Sequence, residues 1–212
     1  MPPTRLAAIA VAFALAVSGC SGGDDDDDAT DDTDTSSTEF ERASVELEVT
    51  RAHLVSPHQA RRDLDAATRD AVTGVVEDLL LVTSATPLVE GKTGGGFADL
   101  FTADAGARAA NTDRAAIFDE GVPRFGELTT ETATVAMTGL AGSMDPATEL
   151  VIATFRWDVR SAERPKDRIV REGQLHLVPD DGDWKIGAYT IVVTRTVDES
   201  TTTTTATTEP DE

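Results

Sequence analysis

From Phe125 onward the period of the apolar pattern changes from helical to two, and this change restricts the C-terminal half of the chain to strands. Ala133, Val135 and Met137 alternate with threonines, and Val151, Ala153, Phe155, Trp157 and Val159 alternate along a second, longer run. Residues 169–178 and 184–197 supply a third and a fourth. Met144-Asp145-Pro146 and Pro179-Asp180-Asp181-Gly182 are turn-forming sequences between these runs, so consecutive strands are expected to be antiparallel neighbours.

The N-terminal half has a different rhythm. Val45, Leu47 and Val49 alternate with Glu46, Glu48 and Thr50, which reads as a half-buried strand. A helix is then expected over residues 56–82, with Ser56 as N-cap, Pro57 at the first helical position and Gln59 closing a capping box. Leu64, Ala67, Ala71, Val75, Leu79 and Val82 form its apolar stripe, Gly74 within it suggests close packing, and Pro87 ends it. Such a helix is about 40 Å long, enough to cross a sheet. Residues 84–96 read as a loop, and 97–102 and 112–120 as two short helices, the latter capped by Thr112 and stopped at Gly121. The order predicts an α+β domain in which one long helix packs on a curved antiparallel sheet of about four to five strands.

Charge sets the domain limits. The 212 residues carry a formal charge of -21, of which residues 1–42 hold -8 and residues 198–212 hold -5. Residues 43–197, expected to be the single folded domain, are left with -8, only mildly acidic and without the basic footprint that nucleic acid requires. The last fifteen residues, with threonines at 201–205, 207 and 208, contain almost nothing apolar and are expected to be a disordered tail, plain or glycosylated.

At the other end, residues 1–5 carry one arginine and residues 6–17 are twelve residues without a charge, the length of a signal-peptide core and too short to span a bilayer. The run closes on Val17-Ser18-Gly19-Cys20, an aliphatic residue, two small residues and a cysteine. This resembles the lipobox of bacterial lipoproteins. The resemblance implies that residues 1–19 are a signal peptide removed before Cys20, that Cys20 is lipidated, and that the mature chain is held on the extracytoplasmic face of the cell membrane; the other reading is an ordinary secreted protein. Cys20 is the only cysteine, so a disulfide within the chain and a thiolate metal cluster are both excluded. Residues 20–42 follow as an acidic linker, with eight aspartates between Asp24 and Asp34. As a flexible coil, a linker of that length spans roughly 25 Å. An EF-hand loop starting at Asp24 would need glycine at its sixth position and glutamate at its twelfth, where Ala29 and Thr35 stand, so calcium binding has no motif behind it.

Other motifs fail on named positions. Gly91-Lys92-Thr93 looks like the end of a P-loop, but the residue five before Gly91 is Thr86 where glycine is required, and glycines follow in place of a helix. The histidines are His53, His58 and His176; no paired histidines suit zinc, and no serine sits in a nucleophile elbow. One acid/base constellation is conceivable, a pocket of Asp158, His176 and Tyr189 brought together across the sheet, against which a polar sheet face is the simpler account. Arg160, Arg164, Lys166, Arg168 and Arg171, diluted by Glu163, Asp167 and Glu172, form a weakly basic hairpin suited to headgroups or an acidic partner, or simply a solvated turn.

Strand, long helix and meander, closing on Gly182-Asp183-Trp184-Lys185-Ile186-Gly187-Ala188-Tyr189, resemble the cystatin-like and nuclear-transport-factor-2-like group of domains. In the latter, helices and sheet often enclose a pocket for a small apolar ligand, and some members use it for catalysis. The cystatin Gln-x-Val-x-Gly pattern is missing, since Gln59 precedes Ala60-Arg61 and Gln174 precedes Leu175-His176. Two functions follow. The first is a non-enzymatic, membrane-anchored envelope module that binds a partner protein or ligand, with no cofactor and no metal; the second is a small-molecule pocket or an enzyme site between the long helix and the sheet. A filled interior favours the first, and a cavity of about 300 Å3 or more with converging polar groups favours the second.

Overall fold

The computed structural model describes residues 43–57, 59–142 and 147–208. The signal-like run, Cys20, the acidic linker, His58 and the turn at 143–146 lie outside them. The alternating runs become β3 (Leu128–Ala141), β4 (Thr148–Ser161), β5 (Arg168–Asp180) and β6 (Asp183–Val197), an antiparallel meander. Its inner face carries Val135, Met137, Val151, Ala153, Phe155, Trp157, Val159, Ile169, Leu175, Ile191 and Val193, all buried. β5 and β6 are joined through Asp181 (φ 49°) and Gly182 (φ 94°), the left-handed pair that a tight two-residue hairpin requires.

The sheet is larger than the four to five strands expected, and it is mixed. β1 (Glu48–Ser56) and β2 (Gln59–Asp63) form a hairpin, β1 runs parallel to β3, and β7 (Ser200–Thr208) pairs antiparallel with β6, giving seven strands in the order β2-β1-β3-β4-β5-β6-β7. The parallel pair arises because the chain leaves β1 and crosses the inner face in helices before it enters β3.

Several helical expectations are corrected. Residues 56–63 are strand and turn, and the long helix α1 (Ala66–Leu80) starts ten residues later than Ser56 suggested. Its N-cap is Asp65, whose carboxylate accepts the Thr68 N–H at 2.9 Å. The buried side is Val72, Val76, Leu79 and Leu80, while Ala67 and Ala71 are exposed and Val75 is half-buried, so the packed face is rotated by about one position from the stripe. A Cβ at Gly74 would meet nothing within 4 Å, so this glycine marks no close packing.

Pro87 does not end the helix. A π-helical turn (Leu81–Ala85) follows α1 directly and leads into α2 (Thr86–Glu90), which stops at Gly91 (φ 69°). Proline has no N–H to give the carbonyl four residues back, so the Thr83 oxygen is left free, and it accepts the Asp119 N–H at 2.9 Å. The loop expected at 84–96 is therefore helical over its first half. Beyond it come a 3-10 turn (Phe97–Leu100), α3 (Ala103–Asn111) and α4 (Arg114–Ile117). Thr112, expected to start a helix, is the C-cap of α3.

The threonine tract is β7 and not a tail. It was hidden because its turn, Asp198 (φ 48°) and Glu199 (φ 66°), carries neither glycine nor asparagine, and because its one buried apolar residue is Ala206, opposite Ile191. Threonine suits a pleated edge, and the hydroxyls of Thr194 and Thr203 (3.2 Å) and of Thr196 and Thr201 (3.1 Å) meet across the pair. A chain ending before Ser200 loses Ala206 and uncovers β6, so its urea midpoint should fall by the equivalent of about 2 kcal/mol or more. An unchanged midpoint would return the tract to the status of a tail.

Candidate functional site

Buried polar side chains gather most densely around one carboxylate. Asp119, in the segment after α4, is 1% exposed, and two arginines from neighbouring strands close on it. Arg171 of β5, also 1% exposed, donates to its Oδ2 from Nη2 at 2.8 Å and from Nε at 3.2 Å. Arg195 of β6 donates from Nε to Oδ1 at 2.6 Å. The π turn supplies the rest: the Ser84 hydroxyl donates to Oδ2, and the Thr83 hydroxyl accepts from Arg171 at 3.4 Å while donating to the Leu79 carbonyl at 2.6 Å.

Arg195 reaches further than Arg171. Its Nη2 donates to the carbonyls of Ala116 (3.2 Å) and Phe118 (3.0 Å), and its Nη1 to Thr204 of β7 (2.9 Å). One carboxylate thus ties α1, the α4 segment, β5, β6 and β7 together. Burial pulls the Arg171 guanidinium below the usual arginine value, with Asp119 pulling it back, and the group stays charged because arginine does not deprotonate in proteins. One anion between two cations leaves the cluster with a single positive charge.

Above this cluster an open cleft of about 540 Å3 is lined by Lys92, Thr93, Asp119, Glu120, Gly121 and Arg124, with Pro87, Gly91 and Val122 completing the wall. Glu120 is restrained there: the Thr93 hydroxyl donates to Oε1, and Arg114 donates from Nη2 at 2.5 Å and from Nε at 3.1 Å. Those bonds, the threonine's foremost, hold its carboxyl below the usual range. Arg124 donates from Nη2 to the Glu90 carbonyl at the end of α2.

The residues expected to form an acid/base pocket are placed apart. Tyr189 is on the inner face, 1% exposed, and its hydroxyl donates to Asp113 at 2.8 Å; burial first, and then Asp113, pushes it above the usual tyrosine value. Asp158 and His176 are on the outer face, but Asp158 pairs with Val170, six residues along β5 from His176, about 20 Å away. His176 is half-buried, its Nε2 lying 3.2 Å from the Gln174 side chain. Asp158 accepts from Arg168 at 2.8 and 2.5 Å.

The basic hairpin is likewise dispersed. Arg171 turns inward, Arg164 pairs with Asp167 at 3.0 Å, Lys166 with Glu199 at 2.8 Å and Arg160 with Glu131 at 3.5 Å. His53, where the first strand's phase breaks, is 9% exposed on the outer face beneath Arg61. Burial, with Arg61 and Arg51 nearby, holds its ring below the usual histidine value.

The outer face also carries a shallow cleft of about 620 Å3. Thr50, Thr134, Thr154, Gln174, Thr190 and the Arg156–Glu172 pair, 2.6 Å apart, line it. The Asp119 cluster and the Lys92 cleft were not foreseen. The signal that was available is Pro87 inside a helical pattern, which frees a carbonyl. No protein-family model, no curated protein and no solved structure matches the chain.

Asp119→Asn keeps the shape and removes the anion, so the arginines are left uncompensated. Urea unfolding should show a loss of about 3 kcal/mol or more, against about 0.5 kcal/mol or less for Arg69→Ala in the exposed Arg69–Asp70 pair. Equal losses would show the cluster to be unimportant. Asp158 titrates in the opposite direction from a raised group: the Arg168 hydrogen bond holds its carboxyl below the ordinary 3.8, so its contribution is present above that value and is lost as pH falls through the lowered one. Asp158→Asn should therefore flatten the stability loss below about pH 4, and an unaltered acid limb would refute this.

Proposed function

We propose that the chain is a lipid-anchored, extracytoplasmic, non-enzymatic module that binds a partner protein or ligand of the cell envelope. The observation that carries the reading is Val17-Ser18-Gly19-Cys20 closing twelve uncharged residues, with the only cysteine of the chain in the position that takes the lipid. Two acyl chains, at about 0.8 kcal/mol per buried CH2, hold a protein on a membrane almost permanently. The acidic linker after Cys20 gives the domain reach away from the lipid surface.

Binding by the surface is supported by a contiguous apolar core. Val72, Val76, Leu79 and Leu80 of α1 and the apolar residues of β4 and β6 belong to one buried cluster. The buried chemistry-bearing side chains beside it, Asp119, Arg171 and Ser84, and Tyr189 within it are spent on one another or on neighbouring groups. The second reading, a site between helix and sheet, has its own opening, a cleft of about 630 Å3 between α1 and the first hairpin, lined by Asp63, Arg69, Asp70, Thr73 and Glu77 beside Val49 and Leu64. The outer-face cleft offers hydroxyl, amide and ion-pair groups to a partner without any rearrangement.

Cys20→Ala tests the anchor in the native host. The unaltered chain should partition into detergent with the membrane fraction, and its N-terminal peptide should carry the mass of a lipidated cysteine; the variant should appear in the soluble extracytoplasmic fraction. Continued membrane fractionation of the variant would overturn the anchor.

A further inference from the structure

The cleft between α2 and the Asp119 segment has a charge opposite to that of the molecule. The chain carries -21, yet Lys92 and Arg124 line this cleft, Arg114 binds Glu120 on its wall, and Arg171 and Arg195 lie behind Asp119. Five cations therefore surround the two carboxylates of the lining. Lys92 is exposed and has no hydrogen-bond or ion-pair partner among the described residues. Arg124 uses Nη2 on the Glu90 carbonyl, which aims the guanidinium along the cleft wall, where its Nε stands close to Gly91.

Neither acid is free to answer these charges. Asp119 is saturated by two arginines and a serine, and Glu120 is held by Arg114 and Thr93. Lys166, Arg69 and Arg156, by contrast, each face a carboxylate. An unpaired lysine beside a fixed arginine, over a buried cluster with one surplus positive charge, is a field that attracts anions into a space of small-ligand size.

We infer that this cleft binds a small, multiply charged oxyanion of the phosphate type, with Lys92 and Arg124 as its direct ligands. Arg124 supplies planar, directional donors and Lys92 a compact charge, the two ways in which proteins hold phosphate. The buried Asp119 cluster adds field without contact. A dianion gains more from this field than a monoanion does, so chloride at equal ionic strength competes poorly. This inference stands apart from the anchor: it concerns the folded domain, and it holds whether or not Cys20 is lipidated.

Titration calorimetry on the native full chain in neutral detergent, with inorganic phosphate as one probe and glycerol 3-phosphate as the other, decides it. Saturable binding of one equivalent is expected. Lys92→Ala should weaken it by about tenfold or more, Lys92→Arg should largely restore it, and Arg124→Lys should weaken it through loss of the planar donors. Circular dichroism of each variant distinguishes lost binding from lost folding, and Lys92, exposed and unpaired, is the substitution least able to disturb the fold. Tighter binding of the ester assigns the site to an organic phosphate, and tighter binding of the inorganic ion assigns it to free phosphate. No saturable heat with either probe, or equal affinity in the chain and in Lys92→Ala, overturns the inference.

Discussion

The arrangement depends on a carboxylate with two arginines. Asp119 has no regular secondary structure of its own, yet through Ser84, Arg171 and Arg195 it fixes where the long helix, two central strands and the edge strand stand relative to one another. Burying charges costs more than burying leucines, and replacing such a group by apolar residues is often neutral for stability. What the charges add here is direction. An apolar plug would tolerate sliding of α1 along the sheet, whereas a guanidinium with donors assigned to Asp119, Ala116, Phe118 and Thr204 accepts one position.

The π turn is the backbone counterpart of that cluster. It widens the helix where Pro87 would otherwise clash, and it leaves the Thr83 carbonyl free for the Asp119 N–H. Main-chain and side-chain bonds to Asp119 thus come from adjacent residues, Thr83 and Ser84, on the same turn. The cleft lined by Lys92 and Arg124 sits at the end of this helix because Gly91 reverses the chain there in the left-handed region.

The meander was legible because one-sided burial writes itself as alternation, and the Asp181-Gly182 turn because it needs positive φ. The first hairpin was not. Ser56-Pro57 with Gln59 imitates a helix start, and nothing local shows that Arg61 and Arg62 belong to an edge strand whose ladder lies with β1. The capping competition was won by Asp65, which had only a threonine three residues on to advertise it. Arg171 read as one of five surface bases; its inward turn follows from the phase of β5, in which it lies between Ile169 and Gly173 on the packed face. The candidate trio of Asp158, His176 and Tyr189 failed on the same count, since odd and even positions separate the tyrosine from the other two.

β7 leaves one edge of the sheet with unpaired backbone groups in a tract of nearly uniform threonine, and such an edge invites a second copy to extend the sheet. The acids that flank the tract oppose this. By sequence, Asp198 and Glu199 precede the tract and Glu209, Asp211 and Glu212 follow it, all of them acidic. Of the two described, Glu199 is met by a base, Lys166 at 2.8 Å, so the offset is partial. Copies approaching along this edge would carry the same sign of charge to the place where they are otherwise best able to polymerise.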